Sequence, residues 1–258
     1  TIRAASEAEK PALLEQRREL AVREDQLELL VRRDLTCKLM EYKADFLANM
    51  DALGRLDLIF AKTKLARRYG CRRPVFSRDG SITLRGLRHP QVAEDLLARG
   101  EAFTPLDLEL NKGCTVITGA NMGGKTISLK LAGQIPILAQ YGFFVPAKHA
   151  KIGLSNYMQI LIGDSQSVER GLSSFGSEME ELKEILDKGQ ERSLILIDEI
   201  ASGTNPTEGT ALTKSLVDYL IEKPYISLIT THFESVTERE DIVNMQVRGL
   251  ADCNFTLL

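Results

Sequence analysis

The chain has 258 residues, 43% hydrophobic and 27% charged, with a net charge of −3. Such a composition belongs to a globular protein of one or two domains and excludes a disordered or collagen-like chain. No stretch approaches the roughly 20 apolar residues of a membrane helix, and the first residues lack the basic-then-apolar layout of a secretory leader, so a cytoplasmic setting is expected.

Cys37, Cys71, Cys114 and Cys253 stand far apart and form no CxxC or Cys/His cluster. Reduced thiols are expected from this spacing, with neither a zinc site nor a disulfide framework. The chain opens on Thr1 and stops at Leu258, which fits a piece of a longer protein. Charge is uneven: residues 1 to 100 hold 20 Lys+Arg against 15 Asp+Glu, and the remainder 13 against 21. From Lys62 to Arg88 nine basic residues are opposed in sequence only by Asp79. A run of this kind can track phosphates, as in duplex DNA, or can be a solvated helix face followed by a basic loop.

From Pro11 to about Met50 no Gly or Pro interrupts, and Leu13, Leu20, Leu27, Val31, Leu35 and Leu39 recur at helical intervals among alternating charges. The pattern predicts one helix of ~40 residues and about 60 Å, too long for a compact core and suited to a lever, arm or coiled coil. A second helix is expected over Asp51 to Tyr69, with Leu53, Leu56, Ile59, Phe60 and Leu65 on one face, ended by Gly70. After Pro74 the texture changes to short apolar runs at 81–84, 106–110, 115–118, 158–162, 194–197 and 226–229. Helical patterns intervene at 125–141, 177–186 and 206–221. The alternation predicts an α/β fold with a mainly parallel sheet. The expected domains are a helical segment at 1–73 and an α/β domain at 74–258.

Gly119-Ala120-Asn121-Met122-Gly123-Gly124-Lys125-Thr126 fits GxxxxGK[ST], preceded by a strand and followed by a helix. The glycines let backbone N–H groups close around the phosphates of ATP, Lys125 supplies a point charge, and Thr126 offers its hydroxyl to Mg²⁺. About seventy residues later Leu194-Ile195-Leu196-Ile197-Asp198-Glu199 is an apolar strand ending in two acids. A buried parallel strand projects its C-terminal residues into the ligand crevice, where Asp198 would hold Mg²⁺ and Glu199 would act as general base on water. Ile229-Thr230-Thr231-His232 is again a strand running into a polar residue, and His232 would reach the γ-phosphate or the water. His89, in Arg88-His89-Pro90, and His149 read as turn residues, with a nucleotide contact as the lesser alternative for His89. The serine pair Ser173-Ser174 introduces an acidic amphipathic helix, either as a plain cap or as a helix N-terminus presenting Ser173 to a phosphate; the sequence leaves both readings open.

GANMGGKT, LSSFGSEM, LILIDEIASGTNPTEGTAL and TTHFESV stand in an order and spacing similar to the ATPase domain of the MutS family, over about residues 74 to 245. RLDLIFAKTKLA and RHP also resemble MutS segments that join lever helices to that domain, and the helix at 11–50 resembles part of the lever. The resemblance implies a P-loop ATPase of the ABC type that works as a homodimer or MutS-like heterodimer, sandwiching each ATP between one subunit's loop and the other's signature segment. It implies that Ser173 acts in trans, that His232 is a switch histidine, and that Phe103 falls where family members stack adenine, although an ordinary core phenylalanine fits as well. Ala201 to Gly209 is closer to the second type of MutS and to small MutS-like ATPases than to mismatch-repair MutS, and no Phe-x-Glu occurs anywhere in the chain.

Two functions compete on this basis. One is a DNA-linked ATPase of the mismatch-repair or recombination class, supported by the family and the basic run. The other is a protein-remodelling ATPase, similar to the reactivating factors of adenosylcobalamin-dependent aminomutases, supported by GTNPTEG and the missing mismatch reader. A scaffold that binds nucleotide without hydrolysing it is disfavoured because Lys125, Asp198, Glu199 and His232 are all present.

Overall fold

The computed structural model describes residues 10–119, 124–162, 174–201, 204–237 and 242–246. The chain divides into two compact units, Thr1–Ala61 and Lys62–Leu258. The first holds α1 (Lys10–Glu41) and most of α2 (Lys43–Arg68). The helix break expected near Met50 instead falls at Tyr42, whose N–H donates to the Leu39 carbonyl three residues back at 3.1 Å. Neither place carries Gly or Pro, so one tightened turn of backbone sets the break, and residue type gives no warning of it. The expected apolar face is also corrected. Leu53, Leu56, Ile59 and Phe60 are exposed, and neither helix buries a residue. In α1 likewise, apolar residues such as Leu29, Leu30 and Val31 are consecutive and spread around the helix. Exposed pairs one turn apart, Lys38–Asp34 at 2.7 Å and Arg55–Asp51 at 2.9 Å, add the small stabilisation typical of that spacing.

The second unit is built on two sheets. Strands β4 (Gly113–Thr118), β6 (Tyr157–Ile162), β7 (Ser193–Asp198), β8 (Ile226–Thr231) and β9 (Val243–Gln246) form an all-parallel sheet in the order β6-β7-β8-β4-β9. Strands β1 (Val75–Ser77), β2 (Ile82–Leu87), β3 (Leu106–Leu110) and β5 (His149–Gly153) form a mixed sheet in the order β1-β5-β2-β3. The fold is therefore the α/β arrangement with a mainly parallel sheet that the alternating pattern implied. Helix α3 (Pro90–Ala98) and strands β1, β5 and β9 were not legible in that pattern.

Side-chain alternation assigns the two faces of the parallel sheet. Ile117, Leu194, Leu196, Ile226 and Leu228 pack with Leu129, Ala132 and Ile135 of α4 (Lys125–Gln140) and with Ile82, Leu84, Leu108 and Ile152 of the mixed sheet. On the other face Val116, Ile195, Ile197 and Ile229 meet Leu182 and Ile185 of α5 (Ser174–Lys188) and Leu216, Val217 and Leu220 of α6 (Pro206–Ile221). Covering both faces explains why β4, β7 and β8 are buried at every position.

One glycine controls how the mixed sheet closes. A Cβ on Gly153 would lie 2.3 Å from the carbonyl oxygen of Gly80 and 2.4 Å from its carbon, both backbone atoms of the turn between β1 and β2. Gly153→Ala is expected to destabilise the fold by about 1–3 kcal/mol through overpacking. The measurement is the urea midpoint at unchanged slope; an unchanged midpoint would mean that the turn retreats freely.

Candidate active site

Because β4, β7 and β8 are parallel neighbours, their C-terminal ends share one edge of the sheet. The register sets Thr118 of β4 beside Thr231 of β8, and Asp198 of β7 beside Thr230 of β8. The three motifs, remote in sequence, thereby converge.

At the end of β4 the chain leaves through Gly119, with φ 139°, and re-enters helix at Gly124, with φ 87°. Only glycine adopts such angles without strain. Gly124 caps α4 with no side-chain hydrogen bond. Lys125 sits in the first turn, where the helix dipole disfavours a cation. Acceptors hold it there: its Nζ donates to the Gly119 carbonyl at 2.7 Å and pairs with Glu199 Oε1 at 2.8 Å, with the Lys125 side chain 3% exposed and that of Glu199 26%. A buried cation at a helix N-terminus is a focus for anions.

Asp198 closes β7 and is buried. The Thr230 hydroxyl of β8 donates to Asp198 Oδ1 and accepts from the Glu199 N–H at 3.1 Å, while the Thr230 carbonyl accepts from the same N–H at 3.0 Å. Thr230 thus fixes both acids at once. The sequence placed it in a strand and assigned it no role; only the β7–β8 register shows it.

After the acids the backbone is forced. Glu199 has φ 46° and Ala201 φ 59°, both in the left-handed region that non-glycine residues rarely enter. The Ala201 carbonyl accepts from the Thr204 N–H at 3.2 Å and hydroxyl at 2.9 Å, and Asn205 then caps α6 by accepting from the Thr207 N–H at 3.0 Å. Gly209 in the first turns of α6 admits the Phe233 ring, since a Cβ there would lie 2.7 Å from Phe233 Cζ. Exposed His232 rests on that ring, with centroids 4.1 Å apart. Phe233 N–H in turn donates to Thr231 Oγ1 at 3.1 Å. Gly209 therefore shapes the support beneath His232.

The structure brings Gly119, Lys125 and Glu199 into direct contact and ties Asp198 to Glu199 through Thr230. Thr126 lies half-buried in the first turn of α4, and Phe103 half-buried in the loop between α3 and β3. Ala120, Asn121, Met122, Gly123 and Ser173 lie outside the described residues. His89, read as a turn residue, caps α3: its Nδ1 accepts from the Val92 N–H at 3.3 Å, and burial, with Lys130 nearby, pushes its pKa down.

The basic run is partly neutralised. Arg68 pairs with Glu94 at 2.8 Å and Arg85 with Glu109 at 2.9 Å. Asp79 is held by Lys151 at 2.7 Å. Lys62 donates to the Tyr141 carbonyl at 2.7 Å. Lys64, Arg67, Arg72, Arg73, Arg78 and Arg88 are exposed. No group of three His, Cys, Asp or Glu side chains that could hold a metal occurs among the described residues, and no helix there is long and apolar enough to cross a membrane.

The family model described as MutS domain V matches residues 115–253. Proteins called endonuclease MutS2 from Lachnospira eligens and Shouchella clausii are each 36% identical to the chain, over 85% and 83% of it and 27% of their own length. The endonuclease MutS2 of Agathobacter rectalis is 40% identical over 72% of the chain and 23% of its own length. The chain spans about a quarter of the length of these relatives.

Proposed function

Because the chain belongs to the MutS family and carries its ATPase domain, we propose that it is the motor of a dimeric, Mg²⁺-dependent, DNA-linked switch of the MutS2 kind. One observation carries the reading: the phosphate-loop lysine and the candidate base meet at 2.8 Å, beside a second acid buried at the same sheet edge.

In this reading Gly119 to Thr126, with their backbone N–H groups and Lys125, take the phosphates of ATP. The Thr126 hydroxyl and Asp198 hold Mg²⁺, which needs only one or two carboxylates beside phosphates and water. Mg²⁺ would neutralise phosphate charge. Glu199 takes a proton from the attacking water, and His232 is placed at the end of β8 to meet the γ-phosphate side. Phe103 stacks the adenine. Ser173 from a second copy, or from a MutS-like partner, completes each site. We assign residues 1–73 to the lever and 74–258 to the ATPase module. Cys37, Cys71 and Cys114 are free thiols, as suits a cytoplasmic setting.

Duplex DNA is the favoured ligand because the relatives bear the name endonuclease and Lys64, Arg67, Arg72, Arg73, Arg78 and Arg88 leave an exposed basic surface. ATP turnover of the chain should rise with duplex DNA, and the apparent affinity should fall steeply with salt as phosphate contacts release counterions. Stimulation indifferent to DNA and produced only by a client enzyme would favour the remodelling reading, which the pairing of Arg68 and Arg85 with acids also suits.

A further inference from the structure

The segment Glu199–Ala201 holds two non-glycine residues at positive φ, 46° and 59°, one on each side of buried Ile200. A conformation of this kind relaxes unless its surroundings fix it. Its N-terminal end is fixed by Thr230, whose carbonyl and hydroxyl both accept from the Glu199 N–H. Its C-terminal end is fixed from a different element. The Ala201 N–H donates to Oε2 of Glu178, on α5, at 3.3 Å. Ala201 itself is fully buried, and its N–H has no water to turn to.

Glu178 is an unusual choice for this task. It is only partly exposed, burial and neighbouring Glu181 raise its pKa, and the Ala201 N–H opposes that rise. Of the acidic residues on α5, Glu184 lies exposed and pairs with Lys188, whereas Glu178 is turned onto the loop that carries the candidate base.

We infer that Glu178 is a positioning residue: by accepting from the Ala201 N–H it locks the left-handed turn after the acids and so aims the Glu199 carboxylate. It reaches the phosphate loop, which is built from β4 and α4, only through the Glu199–Lys125 pair. This inference rests on the reading of Glu199 as general base. A misplacement of about 1 Å in a reacting group can cost on the order of 10²-fold in rate, so a loosened turn should appear in kcat.

Two substitutions of similar length separate the hydrogen bond from charge and packing. Glu178→Met keeps the volume and removes the acceptor; Glu178→Gln removes the charge and keeps an acceptor oxygen. Glu178→Met is expected to lower kcat by about 10-fold or more, while the affinity for a non-hydrolysed ATP analogue stays intact or tightens as the Glu199–Lys125 pair loosens. Glu178→Gln should stay close to the unaltered protein. Melting temperatures of both are recorded, and if Glu178→Met does not fold, Glu178→Gln decides alone, because a tenfold loss of kcat in it contradicts the role. Equal impairment of the two variants, or full kcat in Glu178→Met, overturns the inference. Glu199→Gln is assayed beside them: full turnover there would overturn the reading of Glu199 and this inference with it, whereas lost turnover there with full kcat in Glu178→Met overturns only the positioning role.

Discussion

Glu199→Gln is expected to lower ATP turnover by about 10²- to 10⁴-fold, the usual contribution of a positioned general base, while nucleotide binding stays intact or tightens. The tightening follows from the 2.8 Å contact between Glu199 and Lys125. In the free protein the lysine that should meet phosphate is already paired with a carboxylate, so binding exchanges one anion for another. An amide at position 199 is a weaker competitor and leaves Lys125 readier for ATP. The original pair resists this exchange only modestly, because the cost of withdrawing both charges from water offsets much of their attraction. Single-turnover hydrolysis and titration with a fluorescent ATP analogue give the two quantities separately. With ATP retained, the variant should also sediment as a dimer at concentrations where the unaltered protein is mixed. Unchanged hydrolysis would remove Glu199 from the role of base.

The second large effect is expected from Lys125→Met. Its side chain is 3% exposed and touches both Gly119 and Glu199, so the substitution keeps the volume and removes the only cation the motif supplies. Charge-assisted hydrogen bonds contribute about 1.5–3 kcal/mol each, and 1.4 kcal/mol is tenfold in affinity. ATP should therefore bind roughly 10- to 100-fold more weakly, and turnover should fall further because the γ-phosphate is no longer aligned. The fold should survive: Glu199 keeps access to water at 26% exposure and is not stranded as a buried charge. Equal ATP affinity in the two proteins would mean that the glycine loop does not receive phosphates.

The parts of the fold that the sequence made legible are those whose signal is local. Strands β4, β7 and β8 are short uncharged runs built on Val, Ile and Leu, broken chiefly by Ser and Thr until the acid that closes β7, because both faces of the parallel sheet are covered. The phosphate loop is likewise a contiguous motif. Strand β5, His149-Ala150-Lys151-Ile152-Gly153, carries no such pattern; it is a strand because β1 and β2, some seventy residues earlier, offer it hydrogen bonds on both sides. Helix α3 had its signals, with His89 as cap and Pro90 at the first position, yet Arg88-His89-Pro90 reads equally as a turn. Within the site, Lys125, Asp198, Glu199 and His232 were legible as motif residues. Thr230, Glu178 and Gly209 were not, since what each does depends on a neighbour from another element: the acids of β7, the amide of Ala201 and the ring of Phe233.

The strand order carries a consequence for how the protein comes into being. The central phosphate-loop strand β4 has as neighbours β8 and β9, both synthesised more than a hundred residues later. During translation β4 therefore emerges with its edges unpaired and the face later covered by α5 and α6 bare, and most of the acid-bearing half of the sheet is made before β4 can be locked into it. Such non-local closure is slow and leaves sticky intermediates. Competence to bind ATP is thus a late event in the life of each chain, and a cell that makes this protein has reason to keep its nascent form shielded until the last strands arrive.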